Sequence, residues 1–273
     1  LFGNPDREAP ALSPDGKQLL YLAPVQGVMN VWVGPAEQPE AAKPITQDAL
    51  RGIRNAQWSA GGDRVLYLQD KGGDENWHLY AADPEAAKSI DLTPFPGVRA
   101  QIDALSDRRP HDVVVGMNDR DPAWHDLYRI KISTGERTLI LRNDRMVAVI
   151  PDHRLRPRVG LAVAPDGTLD LYRPTADGSW ALLWDIGPDD APAINATAYL
   201  QAWAIDRDNA HLYLFDTEGR DLTALVALDL ETGKRTMLAE SRESDIAGVL
   251  YHPVTYALQA YASMWTRTTW HAV

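Results

Sequence analysis

Cysteine is absent from these 273 residues, which excludes disulfides and thiolate metal sites together. Positive charge is also scarce. The 27 Lys and Arg stand against 38 Asp and Glu, a formal net charge of −11. Binding a phosphate backbone needs a basic face, so no nucleic-acid partner is expected. No apolar run approaches ~20 residues, the length a spanning helix needs, and no membrane partner is expected. No His-x-x-x-His pair occurs among the seven histidines, which argues against a zinc site of that kind. Neither a metal nor another cofactor is expected. Phe is rare (3), whereas Trp (9) and Tyr (10) are plentiful. Aromatics with a polar tip suit half-wet strands. Long helical patterns are few, while 19 Gly and 19 Pro punctuate short apolar runs. That punctuation belongs to an all-β protein. A chain without cysteine suits the cytoplasm, the expected location, and is compatible with the periplasm.

What is present repeats. Ser13-Pro14-Asp15-Gly16 leads into Lys17-Gln18-Leu19-Leu20-Tyr21-Leu22, and degraded copies follow. Turn starts fall near residues 14, 60, 107, 152, 206 and 252, at steps of 46, 47, 45, 54 and 46. Pro presets φ, Asp bonds its own backbone and Gly accepts positive φ, so each start suits a tight hairpin. A second landmark, Val31-Trp32-Val33, returns as Leu79-Tyr80, Leu127-Tyr128 and Leu171-Tyr172. A third, Thr134-Gly135-Glu136-Arg137-Thr138, returns 98 residues on as Thr232-Gly233-Lys234-Arg235-Thr236. Three landmarks keeping one period of roughly 40–50 residues predict an all-β β-propeller. Six blade starts are visible, five of them complete, with boundaries near 1–44, 45–95, 96–144, 145–194, 195–241 and 242–273. The expectation is one propeller over 1–273, incomplete at its C-terminal end. Alternating burial is expected along 17–22, 64–68 and 112–116, and exposed turns at Asp15-Gly16 and Gly61-Gly62.

The opening stretch, Leu1-Phe2-Gly3-Asn4-Pro5-Asp6-Arg7-Glu8-Ala9-Pro10 running into Ser13-Pro14-Asp15-Gly16, resembles the start of the propeller in prolyl oligopeptidase family serine peptidases. The acylaminoacyl-peptidase-like and dipeptidyl-peptidase-like branches are nearest. Asp70-Lys71-Gly72-Gly73-Asp74-Glu75-Asn76-Trp77-His78-Leu79-Tyr80 resembles the same group, as does Asn118-Asp119-Arg120-Asp121-Pro122-Ala123-Trp124-His125-Asp126-Leu127-Tyr128. The resemblance implies a seven-bladed propeller capping an α/β-hydrolase domain that carries Ser, Asp and His. It implies two partners: that catalytic domain of the same parent protein, and short peptides. No G-x-S-x-G elbow occurs in these 273 residues, so no catalytic residue is expected here and the catalytic α/β-hydrolase domain is expected to be absent from the chain. Ser13, Ser59 and Ser106 lie in blade turns, and Ser179 sits between Gly178 and Trp180.

Candidate binding residues follow from two loops. Asp70–Asn76 is acidic and Gly-rich. Its oxygens could meet a cation, but EF-hand spacing is missing. It reads first as a solvated loop, with Glu75 and Asn76 as candidate substrate contacts, because the resemblance implies propeller glutamates that hold a peptide's free amino terminus. Arg120 is the third candidate, since its planar fork could take a substrate carboxylate or carbonyl. The plainer expectation is pairing with a flanking Asp. His78 and His125 recur 47 residues apart as repeat residues, while His111, His153, His211 and His252 follow turns and are expected to be exposed. The tryptophans are expected to pack between blades. Arg154-Leu155-Arg156-Pro157-Arg158 reads as a solvated loop or a contact to a neighbouring domain. The function expected is substrate gating in a peptidase. The alternative is a stand-alone TolB-like propeller acting as a protein-binding scaffold. A glycan-cleaving propeller ranks last, for want of a paired carboxylate.

Overall fold

The computed structural model describes residues 3–190 and 204–273. Trp203, like the first two residues of the opening motif, lies outside them. The described residues form 23 strands and a single 3-10 turn, Pro39–Ala41. The strands make five four-stranded antiparallel sheets and a final three-stranded one. Each sheet falls inside its predicted blade interval.

Two compact units emerge, Leu1–Asp144 with Arg154–Arg156, and Arg145–His153 with Pro157–Val273. The first holds three sheets. Strands β1 (Glu8–Leu12), β2 (Gln18–Val25), β3 (Val28–Pro35) and β4 (Lys43–Pro44) make one. Strands β5 (Ala56–Trp58), β6 (Val65–Gln69), β7 (His78–Asp83) and β8 (Lys88–Asp91) make the next. Strands β9 (Ala100–Leu105), β10 (Asp112–Asp121), β11 (Trp124–Lys131) and β12 (Arg137–Leu141) make the third. In the second unit, β13 (Ala148–Pro151) to β16 (Trp180–Ile186), β17 (Ala204–Ile205) to β20 (Arg235–Ala239), and β21 (Ile246–Tyr251) to β23 (Thr268–Ala272) repeat the pattern.

In the first two sheets the predicted turns staple the first hairpin through a serine side chain. Ser13 Oγ accepts the Gln18 amide at 2.9 Å and Ser59 Oγ accepts the Arg64 amide at 3.2 Å. Both serines are buried. They are turn residues, as their sequence context implied. Gly16 and Gly62 take the left-handed conformation at φ 72° and 74°. Leu155 (φ 58°) and Asn209 (φ 60°) take the same turn position in later sheets without being glycine. Gly61 is exposed as expected, whereas Gly62 is half-buried, because Pro14 stands 3.1 Å from where its Cβ would be. Between β2 and β3, Gln26 and Gly27 both have positive φ, the requirement of a two-residue type I′ hairpin.

Burial corrects the expected alternation. Leu20, Tyr21 and Leu22 are all buried, and so are Val113, Val114 and Val115. The cause is the stacking of sheets. Val65, Tyr67 and Ala82 share a core with Leu20, Leu22 and Val31 of the first sheet. Leu66, Leu79 and Ala81 point the other way, into a core with Val113, Val115 and Ile130 of the third. The second unit does the same. Leu212, Leu214 and Leu228 pack on Leu169 and Leu171, whereas Phe215 and Leu225 pack on Ile246. A strand covered on both faces reads as a continuous apolar run. Each fully buried Leu or Val contributes about 1.5–3 kcal/mol of transfer free energy.

Two further expectations need amendment. Trp58 and Trp184 are buried, but Trp265 and Trp270 are 71% and 55% exposed, both lying at or near the edge strand β23. Of the turn histidines only His111 is exposed. His211 Nδ1 meets Asp206 at 2.8 Å, His153 stacks on Tyr256 at 4.0 Å, and His252 Nδ1 accepts two amides at 3.1 Å. In the last of these turns the imidazole takes the amide-accepting role that Ser13, Ser59 and Asp206 take in theirs.

Candidate functional site

The loop joining β6 to β7 is built around Asp70. Its side chain is 1% exposed and 3.5 Å from Arg51 Nη2, and it accepts the Glu75 amide at 3.4 Å. Gly72 and Gly73 turn the chain at φ 69° and 90°. At Gly73 a Cβ would stand 3.3 Å from the Arg51 guanidinium, so the close approach needs glycine. Asp74 Oδ1 accepts amides from Lys71 and Asn76, and its Oδ2 accepts Asn76 Nδ2 at 3.3 Å. Burial alone would push the Asp74 carboxyl up, but these donors together hold it below the usual range. Asn76 is thereby committed to Asp74. Glu75 is different. Its backbone sits at φ 59°, its residue is exposed, and its carboxylate has no hydrogen bond or ion pair among the described residues. A non-glycine residue in that conformation is held there by its surroundings.

Arg120, on the β10–β11 hairpin, pairs with neither flanking Asp. Its Nε and Nη2 grip Asp126 at 2.7 and 2.8 Å, and Nη2 also reaches the Asn143 carbonyl at 2.6 Å. Asp144 lies 3.0 Å away. The bidentate edge a substrate carboxylate would need is already filled. Asp126 is buried, and burial alone would push its carboxyl up. The Arg120 bonds and the Asn143 amide hold it below the usual range. Flanking Asp119 instead receives the Tyr128 hydroxyl at 2.9 Å and Arg137 Nη1 at 2.7 Å. No hydrogen bond or ion pair joins Arg120 to Glu75 or Asn76 among the described residues. Sequence separation hid Asp126, six residues past Arg120. The two-residue alternation of a hairpin was the available signal.

The basic stretch also acquires a place. Arg154 and Arg156 join Arg108, Arg109, His111 and Asp112 around a cleft of about 610 Å³ in the first unit, while Arg158 binds the Asn209 carbonyl at 3.0 Å in the second.

No family model matches the chain. Among curated proteins, dipeptidyl aminopeptidase BIII of Pseudoxanthomonas mexicana is 41% identical over 274 residues, covering 100% of this chain and 39% of that protein. Dipeptidyl peptidase family member 6 of Caenorhabditis elegans is 29% identical over 283 residues, covering 97% and 37%. The chain thus spans about two fifths of the curated relatives it matches. Among solved structures, the β-propeller domain of the Trilobed protease from Pyrococcus furiosus matches with a TM-score of 0.56 at 16% identity, over 97% of this chain and 80% of that one. Fold and sequence together define a β-propeller of the kind carried by prolyl oligopeptidase family peptidases. By sequence, the chain is similar to about two fifths of each of these two dipeptidyl peptidases.

Proposed function

We propose that this propeller serves a dipeptidyl-peptidase active site carried by an α/β-hydrolase domain of the same protein, admitting short peptides and meeting their free amino terminus with Glu75. The observation that carries the reading is the 41% identity to a dipeptidyl aminopeptidase along the whole chain. A peptidase that removes two residues at a time must measure from the amino terminus. A fixed carboxylate is the simplest gauge for an ammonium group. Glu75 supplies an exposed carboxylate on a backbone held at φ 59° beside the buried Asp70. Asn76 supports the loop through Asp74. Arg120 acts at one remove, by holding Asp126.

The test is kinetic. In the whole protein, Glu75→Gln should lower kcat/KM for dipeptidyl substrates with a free amino terminus by about 10–100-fold, the worth of one hydrogen bond to a charged group. The same substrates blocked at the amino terminus should show no such difference. Equal losses on both, or none on either, would remove Glu75 from the site.

A further inference from the structure

Arginines of this chain repeatedly lie over aromatic rings. The Arg137 guanidinium stands 4.0 Å from the Phe95 ring and 4.9 Å from that of Tyr128, with Nη1 2.7 Å from Asp119. Arg235 stands 4.4 Å over Trp184, beside Asp216. The two arginines hold one register position, since Arg137 pairs with Ile130 and Arg235 with Leu228, each at the start of a fourth strand. Tyr128 lies two residues before Ile130.

In the second sheet, Tyr80 lies two residues before Ala82, and Ala82 pairs with Ser89. Ser89 therefore occupies the position of Arg137. Over Tyr80 there is instead a cavity of about 380 Å³, lined by Tyr67, Tyr80, Ser89, Asp48 and Gln69 among others. The two tyrosine rings stack, 5.2 Å between centroids and 13° apart. Asp48 stands where Phe95 stands one sheet later. Each lies two residues past a threonine whose Oγ1 accepts a third-strand amide, Thr46 from Val31 and Thr93 from Leu79.

Gln69 adds an independent observation. Its Nε2 donates to the Asp48 carboxylate at 3.3 Å. A carboxylate only accepts, so the amide orientation is fixed. Its Oε1 is then buried without a partner. A buried acceptor without a donor is costly, and a ligand that brings an N–H relieves the cost. Burial pushes the Tyr67 hydroxyl up, and the Asp48 and Asp91 charges add to it, as expected in a negative field. Asp48 Oδ2 also accepts the Arg51 and Gly52 amides, which leaves Oδ1, met only by the Leu50 amide at 3.4 Å; with the stacked aromatic faces and the orphaned acceptor, it asks for a flat cation with several N–H donors.

We propose that this cavity binds a guanidinium group, supplied by an arginine-bearing ligand, flat against the tyrosine pair with its N–H groups directed to Gln69 Oε1 and Asp48. The fold fills the matching position elsewhere with its own arginine. A guanidinium is planar and weakly hydrated and stacks on aromatic faces, whereas an ammonium is a compact, strongly hydrated point charge.

The probe is N-acetyl-arginine amide, titrated calorimetrically into the whole protein, with N-acetyl-lysine amide and N-acetyl-norleucine amide as comparisons. Both ends of each probe are blocked, so a site for peptide amino termini does not contribute. The arginine probe should bind at least ~5-fold more tightly than the lysine probe, and the norleucine probe should give no binding heat. Ser89→Arg should fill the cavity from within, weakening the arginine probe at least ~10-fold while raising the melting temperature. Gln69→Leu should weaken it at least ~3-fold, and decides the matter should Ser89→Arg not fold. Equal affinity for the arginine and lysine probes, no binding at about 10 mM, or unchanged affinity in both variants would overturn the proposal.

Discussion

Single residues show where this chain departs from the average of its repeats. Asp103 is the extra residue of a β-bulge, since Val114 pairs with Ala104 and Val115 with Ile102. Its Oδ2 is buried and fits only because residue 116 is glycine, where a Cβ would stand 2.7 Å away. Burial pushes its carboxyl up to about 7, against hydrogen bonds from the Gln101 side chain and the Gly116 amide. The folded state therefore holds this proton more tightly than the unfolded chain, and stability falls as pH rises from about 4 to 7. Asp103→Asn should flatten that slope. Unfolding free energies from urea titrations at pH 5 and pH 8 should differ less in the variant, by about 1–3 kcal/mol. Parallel pH profiles would show that the carboxyl is not desolvated. At Arg120, replacement by Ala strands the buried Asp126 and should lower the melting temperature clearly. Arg120→Lys should recover little of the loss, because an ammonium cannot grip both carboxylate oxygens. A thermal melt indistinguishable from the parent would refute the pairing.

At the scale of elements, the doubly covered strands set the energetics. Leu66→Ala, on β6, should cost about 2–5 kcal/mol. Ile90→Ala, on the outer strand β8 with its residue 42% exposed, should stay near 0.5–1 kcal/mol. Denaturant unfolding of both variants gives the comparison directly. Gly62→Ala should cost about 1 kcal/mol or more, since φ is 74° and Pro14 blocks the added methyl. Much at this scale was legible in the sequence. Ser13-Pro14-Asp15-Gly16 announced its turn, and the Trp32, Tyr80, Tyr128 and Tyr172 landmarks all lie on third strands. The turns starting near 152 and 206 were legible from the repeat, and Asn209 suits a left-handed backbone; Leu155 in the same position was not legible, because a leucine rarely takes it. Two-sided burial was misread as alternation, since an apolar run does not say how many neighbours cover it. Of the candidate site, the loop around Glu75 was visible as a motif. Arg120's partner was not, nor was the tyrosine cavity, which shows only when Ser89 is set beside Arg137 in register.

For the whole molecule, the chemistry should lie outside these 273 residues. A fluorophosphonate probe applied to the whole protein should label one serine beyond this segment, and mass spectrometry should find none labelled within it. Stoichiometric labelling of Ser13, Ser59, Ser106 or Ser179 would overturn the peptidase reading. The two-faced sheets have a consequence for how the chain finds its pairing. In a sheet with one wet side, a slip of one residue turns apolar groups to water and is rejected at once. A slip in β6 would merely exchange Leu66 with Val65 and Tyr67, moving one greasy set into the place of another. Hydrophobicity cannot police that error. Ser59 and its grip on the Arg64 amide must set the count instead, and the shapes of leucine and tyrosine must confirm it.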